Sequence, residues 1–264
     1  MAWIPYKITF RLLSPLNVGW KKTGNLQQTR PYVTGNTLWG ALTARLVRDQ
    51  GNNNYKDIGK KVDDELRFTY FYPTTAEDDV KICPWDNFDE FSWQFLSSYA
   101  STALSGKTAE EGTLHETEYI SPKTREGNQV YLIGYIIEKD GCNLNWIDAL
   151  NRLQLGGERG YGWGKVNLIG DPEMSNKCFD YVFDGTKDSP QIIVPKGERI
   201  FAHAMADKLE CKGTIEPLVG RETSKKRGFG GVISEAKICW MPGSIVNKEI
   251  SFEISSRGIW KEVQ

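Results

Sequence analysis

The sequence lacks a strong net charge, a long hydrophobic run and a leader-like beginning. It contains 33 Lys plus Arg against 34 Asp plus Glu, so no overall basic field attracts nucleic acid and any such site must be a local patch. No stretch approaches the roughly 18 consecutive apolar residues of a membrane span. The first residues do not combine a basic stretch with an apolar run. We therefore expect a cytoplasmic protein with no membrane partner.

Metal-binding and redox motifs are also missing. The five cysteines occur singly and never as Cys-x-x-Cys, which indicates reduced packing residues and neither a disulfide framework nor a zinc site. Only two histidines, His115 and His203, are present. We expect no metal and no cofactor. With 39% hydrophobic and 12% aromatic residues, the 264-residue chain can bury a sizeable core as one large domain or two small ones.

Hydrophobic periodicity predicts an alternation of strands and helices in the first 170 residues. Period-two patterns or β-prone runs predict strands, and apolar residues at helical spacing predict helices. The first helix begins at Asn36 as a candidate N-cap, and Gly51 follows its end. The predicted elements are strand 6–12, helix 36–49, strand 66–72, strand 130–137, helix 145–153 and strand 165–169. Their order, β-α-β-β-α-β, is that of the ferredoxin-like (RRM-like) unit and predicts an α+β fold.

The chain is predicted to divide into two parts. Residues 1–170 form the ferredoxin-like domain with a large insertion at 75–129, whose first part is acidic and is expected to face solvent or a protein neighbour. Residues 171–264 form a β-rich second half, interpreted as a possible degenerate second ferredoxin-like unit. Its predicted strands are 191–194, 200–203, 233–240 and 250–254.

A glycine-rich segment, Leu155-Gly-Gly-Glu-Arg-Gly-Tyr-Gly-Trp-Gly-Lys-Val166, is the strongest local signal. Five glycines in nine positions allow close backbone approach and positive φ, while the basic and aromatic side chains offer phosphate charge and stacking planes. The alternative is a tight turn whose aromatics pack inward. The segment matches neither GxGxxG after a first strand nor GxxxxGK[ST], which disfavours a nucleotide cofactor.

The pattern GGxRGxGxG between a second helix and a fourth strand resembles the glycine-rich loop of the CRISPR-associated RAMP superfamily. Residues 32–42 (YVTGNTLWGAL) resemble a second motif of that family, an apolar residue and Pro-Gly-Ser before a helix, with Thr34 in the place of proline. Residues 106–120 (GKTAEEGTLHETEYI) are similar to a segment of the subunits that cap the guide-RNA 5′ handle in type III-D complexes.

This resemblance implies a non-catalytic subunit of a type III CRISPR effector in antiviral defence that grips the 5′ handle of crRNA. The implied partners are crRNA, backbone RAMP proteins and a large polymerase-like subunit. A basic segment near residue 225 is expected to be a mobile arm that orders on a partner, with an ordinary solvated loop as the alternative. The candidate RNA-binding residues are Arg30, Asn36, Thr37, Trp39, Arg45, Gly157, Arg159, Gly160, Tyr161, Gly162, Trp163, Lys165, Arg221, Lys225, Lys226 and Arg227.

Catalysis is disfavoured by the residues available for it. Family members that cleave target RNA carry an aspartate before the first helix, and residues 24–31 contain none. Guide processing usually needs a histidine to move the 2′-hydroxyl proton, which leaves His115 or His203 as candidates. His203 lies in an apolar setting typical of a core histidine. Three alternatives stay open: a crRNA-processing, metal-independent endoribonuclease, a filament backbone subunit, and a protein-interaction subunit with little RNA contact.

Overall fold

A computed structural model describes residues 2–51, 53–224, 228–233 and 235–263, and for 221–224 and 228–233 it describes the backbone alone. Strands and helices are numbered below in chain order. The fold is α+β, as the sequence predicts. None of the helices in the described ranges is long and apolar enough to cross a membrane. All five cysteines are free thiols.

A six-stranded antiparallel sheet lies at the centre of the molecule. Its strands are β1 (Trp3–Leu12), β4 (Leu66–Phe68), β5 (Tyr72–Thr74), β10 (Tyr131–Lys139), β11 (Val166–Leu168) and β12 (Glu173–Met174). The main order is β11-β1-β10-β4, while β5 also pairs with β10 and β12 with β1. The β1–β10 pair runs from Trp3 opposite Lys139 to Arg11 opposite Tyr131 and forms the longest ladder.

Helices cover one face of this sheet. The helices are α1 (Gly35–Asp49), α2 (Tyr55–Glu65), α3 (Phe88–Phe95) and α4 (Trp146–Leu150). Ile8, Phe10 and Leu12 occupy alternate positions of β1 and pack in one core with Leu42 and Leu46 of α1. The predicted succession β1-α1-β4-β10-α4-β11 is therefore present, with α2 and the insertion added to it.

The opposite face of the central sheet packs against an eight-stranded sheet from the second half of the chain. Its order is β13-β14-β15-β23-β24-β16-β21-β18. These strands are β13 (Lys177–Cys178), β14 (Tyr181–Asp184), β15 (Gln191–Val194), β16 (Ala204–Met205), β18 (Ile215–Leu218), β21 (Lys237–Trp240), β23 (Ile250–Ile254) and β24 (Trp260–Glu262). Trp3, Tyr70 and Tyr135 pack in one cluster with Ile192 and Phe252, so the two halves share a core.

Smaller sheets complete the molecule. β2 (Gly19–Thr23), β3 (Leu26–Thr29), β9 (His115–Ile120) and β6 (Leu96–Ser101) form a four-stranded sheet in the order β2-β3-β9-β6. Three two-stranded pairs are β7 (Leu104–Ser105) with β8 (Thr108–Ala109), β17 (Cys211–Lys212) with β22 (Ile245–Val246), and β19 (Arg221–Ser224) with β20 (Gly228–Ile233). A bridge between Leu16 and Ile120 joins the four-stranded sheet to the end of β1.

Three local predictions in the first half are wrong in detail. Thr34, and not Asn36, is the N-cap of α1, because its backbone is extended and its hydroxyl accepts a hydrogen bond from Thr37 N at 3.3 Å. The strand predicted at 66–72 is divided into β4 and β5. The division lies at Thr69, whose hydroxyl oxygen accepts the hydrogen bond of the Tyr135 N–H, a bond that a backbone carbonyl accepts in a regular sheet. The predicted helix 145–153 ends at Leu150.

The second half also departs from the prediction. The strand expected at 200–203 lies instead at Ala204–Met205, and within 233–240 the strand of this sheet begins at Lys237. The described part of residues 171–263 contains strands and no helix. A ferredoxin-like unit has two helices, so the structure offers no counterpart for them in this β-rich half.

Candidate nucleic-acid interface

The glycine-rich segment forms a loop that is bonded to the loop after β1. Gly157 N donates to Asn17 O at 2.9 Å, and Gly164 N donates to Pro15 O at 2.7 Å. Within the segment, Leu155 N donates to Gly164 O at 2.8 Å and closes its base. These bonds fix the loop at the end of the central sheet where β1 finishes and β11 begins.

Two of the five glycines are required by close packing. Gly156 and Gly164 have φ of 70° and 76°, in the left-handed region that glycine adopts without strain. A Cβ on Gly156 would lie 2.2 Å from Asn17 O, and one on Gly164 would lie 1.8 Å from Leu155 O. These two glycines are thus needed to attach the loop to the rest of the fold, whether or not the loop binds a ligand.

The tip of the loop displays a ring and two cations. Arg159–Tyr161 form a single 3-10 turn, and Gln154 holds it by donating from Nε2 to the carbonyls of Arg159 at 3.0 Å and Trp163 at 2.8 Å. The Tyr161 side chain is 84% exposed. Arg159 is half-buried and Lys165 is exposed, and among the described residues neither forms an ion pair.

The remaining loop residues divide between display and packing. Gly157 and Gly160 are exposed and Gly162, at φ 83°, is half-buried. Trp163 is half-buried and meets Tyr119 of β9 edge-on, with ring centroids 5.1 Å apart. The inward-packing alternative therefore holds for Trp163, whereas Tyr161 points to solvent.

Arg30, a predicted RNA contact, is buried and only 7% exposed. Its Nη1 lies 2.6 Å from Glu216 Oε1, which is also 2.6 Å from His203 Nε2. Tyr70 Oη lies 2.6 Å from His203 Nδ1, and Trp20 Nε1 donates to Glu216 Oε2 at 2.9 Å. These residues form a buried polar cluster between β3, β4 and β18, hereafter the Arg30 cluster.

Burial, neighbouring charges and hydrogen bonds determine which groups of the Arg30 cluster carry protons. Burial by itself raises the pKa of Glu216, but the hydrogen bond from His203 and the charge of Arg30 lower it to about 2. Burial lowers the pKa of His203 and raises that of Tyr70. At neutral pH the carboxylate is ionised, the imidazole donates to it from Nε2, and the Tyr70 hydroxyl donates to Nδ1. His203 is fully buried, as its apolar sequence setting indicates.

The two candidate residues at the start of α1 differ in how far their side chains are exposed to solvent. Asn36 is exposed. Thr37 is half-buried, and its hydroxyl lies 3.0 Å from that of Thr34 within the N-terminal cap. Asn36 alone of this pair presents its side chain freely to solvent.

Two further candidates on α1 serve the fold. Trp39 is half-buried against Gly59 of α2, and the guanidinium of Arg257 lies 4.2 Å from its ring centroid. Arg45 forms an ion pair with Asp49 one turn later. RNA binding by these two residues stays a prediction.

His115 has a protein partner on each ring nitrogen. Its Nδ1 lies 3.0 Å from Thr113 O and its Nε2 lies 2.9 Å from Ser101 Oγ. A neutral imidazole that donates from Nδ1 and accepts at Nε2 satisfies both contacts. The side chain thus links β9 to β6 and offers no unengaged nitrogen.

The basic segment after residue 220 is only partly described. Lys225, Lys226 and Arg227 lie outside the described residues, and the Arg221 side chain does as well. On either side of this segment, β19 and β20 pair as antiparallel strands, with Arg221 opposite Ile233. The prediction of a mobile arm stays a prediction.

Sequence reasoning missed a hairpin beside the glycine-rich loop. β2 carries Lys21 and Lys22, both exposed, and Lys21 Nζ lies 4.2 Å from the Trp20 ring centroid. The two residues Gly24 and Asn25 connect the paired Thr23 and Leu26, and a Gly-Asn pair between β-prone segments is a recognised hairpin signal. The hairpin begins two residues after Asn17, whose carbonyl accepts the hydrogen bond from Gly157 of the loop.

The chain resembles known proteins in both sequence and fold. The sequence profile of the RAMP superfamily matches residues 9–167, from β1 through the glycine-rich loop to β11. The chain belongs to the RAMP superfamily. The predicted membership is thereby confirmed, and the loop with its candidate residues lies within the matched RAMP region. No curated protein matches the sequence.

Solved structures similar to this RAMP protein include subunits of type III-B Cmr-beta. One chain of Cmr-beta bound to cognate target RNA and AMPPnP has a TM-score of 0.51 and 14% identity, with 91% of this chain and 85% of that chain covered. Another, from Cmr-beta bound to cognate target RNA, has a TM-score of 0.40 and 12% identity, with coverage of 62% and 96%. The first likeness establishes a shared fold.

Among the described residues, no group of three or more His, Cys, Asp or Glu could hold a metal ion.

Proposed function

We propose that this RAMP protein is a non-catalytic subunit of a type III CRISPR effector and grips the 5′ handle of crRNA through its glycine-rich loop. Membership of the RAMP superfamily and the shared fold with a chain of target-RNA-bound Cmr-beta support a place in such an assembly. The proposal extends to its partners, which are crRNA, backbone RAMP proteins and a large polymerase-like subunit.

The observation that carries the proposal is the rigid display of Tyr161 beside Arg159 and Lys165. The loop is attached through backbone bonds to the segment after β1, so the display is organised before any ligand arrives. An exposed aromatic ring offers a stacking plane to a base, and cations that form no ion pair within the described part of the chain offer charge to phosphates. Exposed Gly157 and Gly160 leave room for close approach of an RNA backbone.

The non-catalytic part of the proposal rests on the histidines. Phosphodiester cleavage without a metal needs a proton-transfer group that reaches the 2′-hydroxyl. His203 is fully buried in the Arg30 cluster, and both nitrogens of His115 are engaged by Ser101 and Thr113. Neither histidine is placed beside the glycine-rich loop by any contact among the described residues.

The test is the salt dependence of handle binding. Arg159→Gln combined with Lys165→Gln is expected to weaken binding of repeat-derived 5′-handle RNA uniformly across sequences. The slope of log affinity against log salt is expected to fall by about 0.7 for each lost phosphate contact to single-stranded RNA. Fluorescence anisotropy at several salt concentrations measures both quantities.

The matched control is Arg48→Gln combined with Lys60→Gln, which removes the same charge from exposed positions on α1 and α2. This control is expected to leave the slope within error of the wild type. An unchanged slope in the loop variant, or an equal change in both variants, would place RNA binding elsewhere.

A further inference from the structure

The acidic charge of the chain is concentrated in the insertion. Residues 75–129 contain eleven Asp or Glu and four Lys or Arg, whereas the rest of the chain contains 23 acidic and 29 basic residues. The insertion therefore carries a formal charge of −7 and the remainder +6. Negative charge repels RNA and attracts cationic ligands.

Strand β6 of the insertion is an unpaired edge. Among the described residues it pairs with β9 and with no other strand. Ser121 N donates to Phe95 O, so in the antiparallel register residues 97, 99 and 101 bond to β9. Ser98 and Ala100, both exposed, direct their backbone N–H and C=O groups away from the sheet.

The sequence of β6 lacks the usual protection of an exposed edge. Folded proteins discourage edge pairing with charged residues, proline or bulges. β6 reads Leu-Ser-Ser-Tyr-Ala-Ser, without a charge or a proline, and its Tyr99 is 60% exposed. β2, at the opposite edge of the same sheet, carries Lys21 and Lys22. One edge is thus blocked and the other is left open to pairing.

A groove of about 380 Å³ adjoins the start of this edge, between α3, β6 and β9. Trp93 lines it with its side chain 63% exposed, and Asp89 and Glu118 supply carboxylates. Arg125 is the one cation in the lining, and it lies 4.2 Å from the Trp93 ring centroid and donates to Trp93 O.

The negative charge of the Glu118 carboxylate in this groove is poorly compensated by its surroundings. One of its oxygens accepts a hydrogen bond from Thr29 N at 2.9 Å, and no ion pair joins it to a cation in the described part of the chain. Burial, together with the nearby charge of Glu116, raises the pKa of its carboxyl. A cationic side chain entering the groove would relieve this unfavourable setting.

We propose that the edge of β6 and the adjoining groove bind an extended, basic segment of a partner protein. The segment adds a strand to β6 through the backbone groups of Ser98 and Ala100. One of its Lys or Arg side chains enters the groove between Asp89 and Glu118, beside the aromatic ring of Trp93. A second copy of this chain fits poorly, because pairing two insertions of charge −7 brings like charges together. This proposal does not depend on RNA binding by the glycine-rich loop.

The test uses the full chain and a synthetic peptide, acetyl-(Arg-Val)4-amide, as the probe. Binding measured by calorimetry is expected for this peptide and not for acetyl-(Glu-Val)4-amide. Asp89→Asn combined with Glu118→Gln is expected to weaken binding at least about tenfold, because two carboxylates facing the cation are neutralised while the acceptor for Thr29 N is kept. Glu210→Gln combined with Glu249→Gln removes the same charge from exposed positions elsewhere and should leave affinity unchanged.

A second pair of variants separates strand pairing from charge attraction. Ala100→Pro removes an outward N–H and is expected to weaken peptide binding about tenfold, whereas Ala100→Thr keeps that N–H and should bind as the wild type does. Circular dichroism checks that both variants fold. Equal affinity across all variants would overturn the proposal, as would groove-dependent binding of a uridine oligonucleotide in place of the basic peptide.

Discussion

At the residue scale, the Arg30 cluster shows how one buried carboxylate organises several elements. Glu216 Oε1 lies 2.6 Å from both Arg30 and His203, and Oε2 accepts from Trp20. The four side chains come from two segments far apart in the sequence, Trp20 and Arg30 from the first and His203 and Glu216 from the second. Burying one charge is favourable here because its partners satisfy both oxygens. The cluster fastens the β2–β3 hairpin to the second half of the chain.

This arrangement makes stability depend on pH. The folded-state pKa values of Glu216, about 2, and of His203 both lie below their ordinary values. The unfolded chain therefore binds more protons, and stability is lost as pH falls from about 6.5 toward 2, first through His203 and, below about 4.5, through Glu216. We expect the free energy of unfolding, measured by urea denaturation, to decrease over this interval.

Glu216→Gln is expected to remove part of that pH dependence and to cost about 3 kcal/mol at pH 7, because Arg30 is left buried without its counter-charge. Exposed Glu210→Gln serves as the control and should change neither quantity. A Glu216→Gln protein with wild-type stability and slope would contradict the assigned protonation states.

Gly164 provides a second test at this scale. Gly164→Ala places a Cβ 1.8 Å from Leu155 O at φ 76°, so we expect a loss of more than about 2 kcal/mol in the free energy of unfolding. Gly160→Ala, in the same loop, meets open space and should change stability by less than about 0.5 kcal/mol. Equal losses in urea denaturation would show that the glycines are interchangeable.

At the scale of elements, the sequence predicts those whose periodicity is carried by buried residues. β1 alternates because Ile8, Phe10 and Leu12 face the helices, and α1 is periodic because Leu42 and Leu46 face the sheet. The division between β4 and β5 could not be predicted, since it depends on Thr69 replacing a carbonyl partner of Tyr135, 66 residues away. The β2–β3 hairpin was missed although Gly24-Asn25 signals it.

Part of the candidate site could also be predicted from the sequence. Local composition identifies the glycine-rich loop, because its glycines and exposed Tyr161 are neighbours in sequence. The burial of Arg30 was not predictable, because its partner Glu216 is 186 residues away and nothing local distinguishes a paired arginine from a free one. The packing of Trp39 was likewise not predictable, since Gly59 and Arg257 contact it from other elements.

The glycine-rich loop as an element makes its own prediction. If its tip stacks on a base, Tyr161→Ala should cost about 1–3 kcal/mol of RNA-binding free energy, while Tyr161→Phe should retain the affinity. Tyr55→Ala removes a partly exposed ring from α2 and is the control. Filter binding with handle RNA measures all three, and equal losses in Tyr161→Ala and Tyr55→Ala would argue against stacking.

At the scale of the whole molecule, a nearly neutral protein divides its charge between two parts of the chain, −7 in the insertion and +6 in the rest. The insertion contributes β6 and β9 to the four-stranded sheet, whose other edge, β2, carries Lys21 and Lys22, and the glycine-rich loop is bonded to the segment after β1. The overall net charge of −1 conceals this division. The separation is consistent with a subunit that binds RNA with one region and a protein with another.

The most direct test of handle binding is to identify the RNA that contacts Tyr161 in the purified assembly. Ultraviolet crosslinking, followed by sequencing of the RNA attached to the peptide that contains Tyr161, identifies the contacted nucleotides. We predict RNA of discrete length crosslinked within its repeat-derived 5′ end, and loss of that crosslink in Tyr161→Ala. Crosslinks distributed along the spacer, or to random cellular RNA fragments, would contradict the account.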